Sequence, residues 1–302
     1  MTDNSIPVVE FDKVTKIYSR SDTPALVKCS FKISTGDKIG FIGANGSGKS
    51  TILKLLMNYI RPEEGRILIN GNENLEDVKK HIGYVSENQE GLESFTPREL
   101  FSSASKLSGF TKTQAENRIN ELLKFSDLTT VSNNLLESFS KGMLQRTFIS
   151  LSILHNPNIL LLDEPMSGLD PQGQIEVRSL LQKLNNYTVL YASHNLQEIE
   201  DFTAKVFFLQ NGNIVKSLDL KNIEAEIYII DLKTSAESLL ENFNFLDLKI
   251  ISSDSGITRI QFTGATNLFQ KFIDNCKKKN FRILRIRSKS ILEEYYSRYV
   301  RS

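Results

Sequence analysis

The chain has 302 residues, with 37 Lys and Arg against 36 Asp and Glu and a net charge of +1. That length accommodates about two domains, and the near-neutral balance speaks against a general nucleic-acid binder, which is usually basic. No apolar run approaches the roughly 20 residues that cross a bilayer, and Met1-Thr2-Asp3-Asn4-Ser5 has neither the basic nor the apolar region of a signal peptide. Cys29 and Cys276 lie far apart without metal-ligand spacing and read as reduced thiols.

In chain order, Val8-Val9-Glu10-Phe11 and Ala25 to Ile33 read as strands, the second alternating as a half-buried strand does. Tyr18 falls between them. The apolar run Lys38 to Ile42 leads into Gly43-Ala44-Asn45-Gly46-Ser47-Gly48-Lys49-Ser50-Thr51, and a helical pattern from Ile52 to Leu56 follows. Strand, glycine-rich turn and helix make G-x-x-x-x-G-K-S a phosphate loop. Its glycines let backbone N–H groups turn inward around a triphosphate, over the positive end of the helix. Lys49 suits the β- and γ-phosphates, and the Ser50 hydroxyl suits Mg²⁺.

After the turn Arg61 to Gly65, Arg66-Ile67-Leu68-Ile69 followed by Asn70-Gly71 is a hairpin-like signal. His81 to Val85 is another short strand. Residues of about 88–157 then look mostly helical. Thr96-Pro97-Arg98-Glu99 reads as a capping box with a Pro start, and Thr113-Gln114-Ala115-Glu116 as a second box. The α/β pattern resumes at Ile159-Leu160-Leu161-Leu162, a continuous apolar run expected of a strand buried on both faces. Asp163 and Glu164 stand at its end. Pro171 opens a helix running to about Leu184, Tyr187 to Tyr191 is a strand, and His194 follows it. Asp163, Glu164 and His194 thus fall beyond strand C-termini, where open α/β sheets bind ligands.

These motifs, in this order over about residues 7–217, resemble the nucleotide-binding subunits of ATP-binding-cassette (ABC) transporters. The signature segment is Phe139-Ser140-Lys141-Gly142-Met143, the Walker B segment Ile159 to Pro165, the D-loop Ser167-Gly168-Leu169-Asp170 and the switch histidine His194. The resemblance implies a P-loop NTPase cassette of the α/β class that binds ATP and Mg²⁺ and hydrolyses the nucleotide. It makes Glu164 the general base and Asp163 a Mg²⁺ holder acting through water. His194 would sense the γ-phosphate, and Tyr18 would stack on adenine. Ser140 and Gly142 would cap a nucleotide bound to the opposite subunit, and Asp170, also the N-cap of the helix opened by Pro171, would cross the dimer interface. The implied partners are a second cassette, as a homodimer, and a transmembrane permease that holds the subunit at the inner face of the cell membrane, with no nucleic acid. A soluble ABC ATPase acting on a ribosome or DNA is the alternative.

The chain departs from the family pattern at Lys141 and Met143, where Gly and Gln are usual. Glu87 occupies the place usually held by the Q-loop Gln, with Gln89 two residues on; either is the candidate Mg²⁺-side residue, and resemblance to drug, antimicrobial-peptide and polysaccharide exporters favours Glu87. The cassette is expected over 1–219. From 220 to 302 a second α+β unit is expected, in the order βαββαβ of a ferredoxin-like domain. Its strands are Glu226 to Asp231, Leu246 to Ile251, Ile257 to Phe262 and Phe281 to Arg287, its helices Ser235 to Glu241 and Asn267 to Lys278, with a last helix from Ile291 to Val300. Lys277-Lys278-Lys279 through Lys289 is locally basic, either a solvated face or a contact for anionic lipid head groups or a partner.

Overall fold

A computed structural model describes residues 6–19, 23–223, 226–243 and 248–300. The chain divides into two units, 1–218 and 219–302. The first begins with β1 (Val9–Lys16), β2 (Leu26–Ile33), β3 (Lys38–Ile42), α1 (Lys49–Leu56), β4 (Glu64–Ile69), a short α2 (Leu75–Val78) and β5 (Ile82–Val85). Three helices follow: α3 (Pro97–Leu107), α4 (Lys112–Phe125) and α5 (Lys141–Ser152). The unit closes with β6 (Ile159–Asp163), α6 (Pro171–Gln182), β7 (Thr188–Ser193), α7 (Leu196–Phe202), β8 (Lys205–Gln210) and β9 (Asn213–Asp219).

β1, β2 and β4 form an antiparallel sheet in the order β2-β1-β4. The larger sheet has the order β5-β6-β7-β3-β8-β9, and its pairings from β5 through β8 are parallel. Every residue of β6 and of β7 is buried, which explains why β6 reads as an unbroken apolar run. Four phenylalanines join the two sheets. The Phe11 and Phe31 rings stack at 4.5 Å, Phe31 lies 5.5 Å from Phe207, and Phe207 lies 5.6 Å from Phe41. Such ring pairs add about 0.5–1.5 kcal/mol each beyond their buried area.

One local expectation needs correction. The helix α4 is capped by Thr111, not Thr113: Thr111 accepts the Gln114 N–H, and the Gln114 side chain returns a bond to the Thr111 N–H. Thr113 lies inside the helix, because the box two residues earlier starts the helix at Lys112. The Thr96–Glu99 box forms as expected. Asn70 and Gly71 both take positive φ, 52° and 74°, the backbone of a tight hairpin turn. The turn closes one antiparallel bridge, in which Ile69 and Asn72 exchange both backbone hydrogen bonds at 2.9 Å, as the hairpin-like signal predicts; the pairing goes no further, since β4 pairs with β1 and the chain beyond enters α2.

The second unit consists of β10 (Glu226–Lys233), α8 (Ala236–Asn242), β11 (Leu248–Asp254), β12 (Ile257–Gly264), α9 (Thr266–Lys278), β13 (Arg282–Lys289) and α10 (Ile291–Tyr299). Leu246 and Asp247, expected to start a strand, lie outside the described residues. The sheet is antiparallel throughout, in the order β11-β12-β10-β13. One core joins Ile230, Leu232, Ile260 and Phe262 of the sheet to Leu239 of α8 and Phe272 and Cys276 of α9. No helix among the described residues is long and apolar enough to cross a membrane.

Each unit buries one free cysteine, and burial pushes Cys29 up to about 12 and Cys276 up to about 11. Both thiols are therefore protected until their own unit opens. Phe272→Ala, which empties the second core at a cost of about 3–5 kcal/mol, should speed alkylation of Cys276 and leave Cys29 as slow as before. Equal acceleration of both, read by mass spectrometry of the labelled cysteines, would show that the units do not open separately.

Candidate functional site

β6, β7 and β3 are neighbours in the larger sheet, and their register pairs Asp163 with Ala192 and Ser193 with Ile42. Three chain segments consequently leave the sheet side by side at its C-terminal edge: the turn after Ile42, Asp163-Glu164, and Ser193-His194. They surround a cleft of ≈ 580 Å³ lined by Tyr18, Asn45, Gly46, Ser47, Gly48, Lys49, Ser50, Thr51, Glu87, Glu164 and His194. That volume is in the range of small-molecule sites, about 300–1,000 Å³.

The turn itself is tightly specified. Gly48 has φ 111°, and a Cβ there would lie 2.7 Å from the Ala25 carbonyl oxygen, so only glycine fits. The Gly212 N–H donates to the Ser47 carbonyl at 3.1 Å, tying the turn to the loop after β8. The Ser47 hydroxyl is buried and has no hydrogen-bond partner among the described residues, an uncommon state that a polar ligand would relieve. Gly43 does not line the cleft but accepts the Lys49 ammonium on its carbonyl at 2.8 Å. Lys49, 6% exposed, also stands 3.8 Å from Glu164 Oε1. Burial lowers the Lys49 pKa, while Glu164, Asp163 and Glu87 oppose that shift.

Asp163 accepts the Ser50 hydroxyl at 3.0 Å. Burial, with Glu164 and Glu87 adding to it, holds its pKa at about 6, against the Ser50 bond and Lys49. Glu164 adopts φ 48°, a left-handed conformation that costs a side chain roughly 1–2 kcal/mol. Its N–H donates to the Ala192 carbonyl at 2.9 Å, and its carbonyl accepts the Ser167 N–H at 3.0 Å, which hold it there. The turn aims the carboxylate at His194, whose Nδ1 lies 3.0 Å from Glu164 Oε2.

Tyr18 is 37% exposed, its hydroxyl 3.3 Å from Thr51 Oγ1. Lys16 lies 5.7 Å from the Tyr18 ring centroid and is fixed in turn by Glu63 at 2.7 Å. Of the two Q-loop candidates, Glu87 lines the cleft; the Gln89 amide donates to the Ser86 carbonyl at 3.0 Å instead. Ser140, Gly142 and Asp170 are not brought to the cleft and form a second cluster. Ser140 caps α5 through the Met143 N–H at 3.2 Å, and Asp170 caps α6 through the Gly173 N–H at 2.8 Å. A Cβ on Gly142 would come 3.0 Å from Gly173 Cα, so the two helix starts touch. Ser167, the first residue of the D-loop segment, also lines the cleft, as do Thr23, Pro24 and Ala25, which carry no motif and to which only proximity to Tyr18 pointed.

A family model described as ABC transporter matches residues 26–167. The chain is 31% identical over 261 residues to an uncharacterized ABC transporter ATP-binding protein, YcbN, of Bacillus subtilis, covering 81% of this chain and 83% of that one. It is 28% identical over 308 residues to the bacitracin transport ATP-binding protein BcrA of Bacillus licheniformis, covering 97% of each. A solved dimeric post-hydrolysis state of an ATP-binding cassette bound to ADP and Pi has a similar fold over 71% of this chain and all of that one, with TM-score 0.65 and 24% identity.

Lys49→Ala removes the ammonium held against the turn by the Gly43 carbonyl. Hydrogen bonds to charged groups contribute about 1.5–3 kcal/mol, so affinity for a labelled ATP analogue should fall about 10–100-fold. Unchanged affinity in equilibrium binding would place the nucleotide elsewhere.

Proposed function

This chain belongs to the ABC transporter family as an ATP-binding subunit that hydrolyses ATP to ADP and Pi, and we propose that it drives a separate transmembrane permease in the direction of export. One observation carries the assignment of the chemistry: the buried Glu164 carboxylate lies between Lys49 at 3.8 Å and His194 at 3.0 Å beside a phosphate-binding turn. Glu164 is the general base that takes a proton from the attacking water. Lys49 and the Asn45 to Thr51 backbone hold the phosphates, His194 contacts the γ-phosphate, and Tyr18 stacks on adenine. Ser50, Asp163 and Glu87 offer the oxygen donors that Mg²⁺ takes. Among the described residues no cluster of three His, Cys, Asp or Glu side chains could cage a metal, so these donors suit an ion that completes its shell with phosphate and water. When bound, Mg²⁺ neutralises charge on the β- and γ-phosphates.

The cluster of Ser140, Gly142 and Asp170 lies apart from the cleft of its own chain. It serves the nucleotide of a second copy of this chain, each copy completing the other's site. Export is supported by the Ser140-Lys141-Gly142-Met143 form of the signature and by similarity along nearly the whole chain to a bacitracin transport protein. The subunit sits at the inner face of the cell membrane through its permease. The second unit is a ferredoxin-like domain, a reading supported by its βαββαβ sequence and by the β11-β12-β10-β13 strand order. Its task is to steady the dimer or contact the permease.

Glu164→Gln keeps the shape of the side chain but cannot take a proton. Turnover should fall about 10²–10⁴-fold, with ATP affinity retained and an ATP-bound dimer accumulating in sedimentation. Near-normal ATPase would remove Glu164 from the chemistry. A Glu164→Gln chain ending at Asp219 should still bind ATP yet dimerise less than the full-length variant; loss of ATP binding would mean that the second unit completes the fold of the first.

A further inference from the structure

Behind Glu164 lies a second buried carboxylate, Glu198, 6% exposed and one turn along the chain from His194. Ser193 joins the two: its Oγ is 3.1 Å from Glu164 Oε2 and 3.0 Å from Glu198 Oε2. The same Oγ accepts the Asn195 N–H at 3.0 Å, and the Tyr191 hydroxyl donates to Glu198 Oε2 at 3.0 Å. Among the described residues no Lys, Arg or His nitrogen lies within ion-pair distance of Glu198; the His194 ring, whose charge acts on it from further off, is engaged with Glu164, and Arg178 is paired with Asp201.

The protons can be counted. A serine hydroxyl has one hydrogen and two lone pairs. With both carboxylates ionised, Ser193 donates to one, and the other faces it oxygen to oxygen at contact distance. One proton on Glu198 removes the conflict. Glu198 then donates to Ser193 Oγ, Ser193 donates to Glu164 Oε2, and the Asn195 N–H fills the second lone pair of Ser193. Every hydrogen has an acceptor, and the chain of donors runs in one direction, towards Glu164.

We propose that Glu198 is a positioning residue that carries a proton and, through Ser193, fixes the orientation of the Glu164 carboxylate for hydrolysis. Burial raises Glu198 in the direction this arrangement needs. The inference rests on Glu164 being the hydrolytic carboxylate. Glu198 does not line the cleft; it acts by keeping Glu164 Oε2 occupied through Ser193, so that the carboxylate meets the water in one orientation rather than rotating.

The test uses the full-length chain and five variants, with kcat, KM for ATP and Tm measured for each. Ser193→Ala and Glu198→Ala should each lower kcat about tenfold with little change in KM, since a hydrogen bond to a charged group is lost from the reacting arrangement only. Glu198→Gln donates to Ser193 as the protonated acid does and should stay near the wild-type kcat. The Ser193→Ala/Glu198→Ala double variant should be no slower than either single one, because one relay is broken twice. Ser193→Ala removes only a hydroxyl and keeps the test decisive should Glu198→Ala fail to fold. Wild-type kcat in Ser193→Ala, or a Glu198→Gln variant as slow as Glu198→Ala at equal Tm, overturns the proposal. Glu164→Gln separates the two readings. If it is inactive while Ser193→Ala is normal, only the relay falls; if it turns over normally, the role of Glu164 falls with it.

Discussion

Three parallel strands end at one level, and the chemistry of this protein follows from that register. β3 pairs with β7, and β7 with β6, so that Ile42 faces Ser193 and Ala192 faces Asp163. The residues that come next along each strand are the glycine-rich turn, His194 and Glu164. The turn is more than a hundred positions from Glu164 and His194 in sequence, yet ladder hydrogen bonds set the spacing of all three. A slip of one residue in any of the three would move every buried side chain of that strand to the other face. Because β6 and β7 are buried on both faces, the apolar core tolerates no such slip, and the precision of the site derives from the core beneath it.

The same burial makes the site electrostatically tense. Asp163 and Glu164 are 3% and 9% exposed, and Lys49 is the ammonium beside them. Two buried carboxylates against one cation leave net negative charge in a poorly solvated place, which costs several kcal/mol per uncompensated ion. Burial raises the pKa of Asp163, with the neighbouring carboxylates adding to it, and burial lowers that of Lys49 against the pull of the same carboxylates. Glu164 adds backbone strain, held by its bonds to Ala192 and Ser167. Charge and strain of this kind concentrate where binding or chemistry needs a side chain held ready.

The second unit obeys a simpler rule. Its antiparallel sheet has one face covered by α8 and α9, so residues alternate between the core and the other face. On β10, Ile230 and Leu232 enter the core, while Asp231 between them engages Arg259 of β12 through two bonds, at 2.6 and 3.0 Å. Arg285 and Arg287 add to the field around Asp231, so the basic stretch from Lys277 to Lys289 is divided between the C-terminal end of α9, which carries Lys277 and Lys278, and the sheet strand β13.

Sequence by itself determined the elements whose cause is local. The phosphate-binding turn was legible because glycine at Gly48 and a helix after Lys49 are chemical necessities written in adjacent residues. The apolar run before Asp163 announced a doubly buried strand, and the boxes and Pro starts announced helices, although the second box was placed on Thr113 when Thr111 two residues earlier made the cap. Asn70-Gly71 set a turn but not what followed it, since pairing partners come from elsewhere in the chain. Only the tertiary structure shows that Glu87 lines the cleft while the Gln89 amide turns back to the Ser86 carbonyl. Only it separated the Ser140–Asp170 cluster from the turn, and only it joined Ser193 and Glu198 to Glu164. Each of these depends on distances between side chains on different elements. Such distances are set by sheet register and helix packing, which no single stretch of residues encodes.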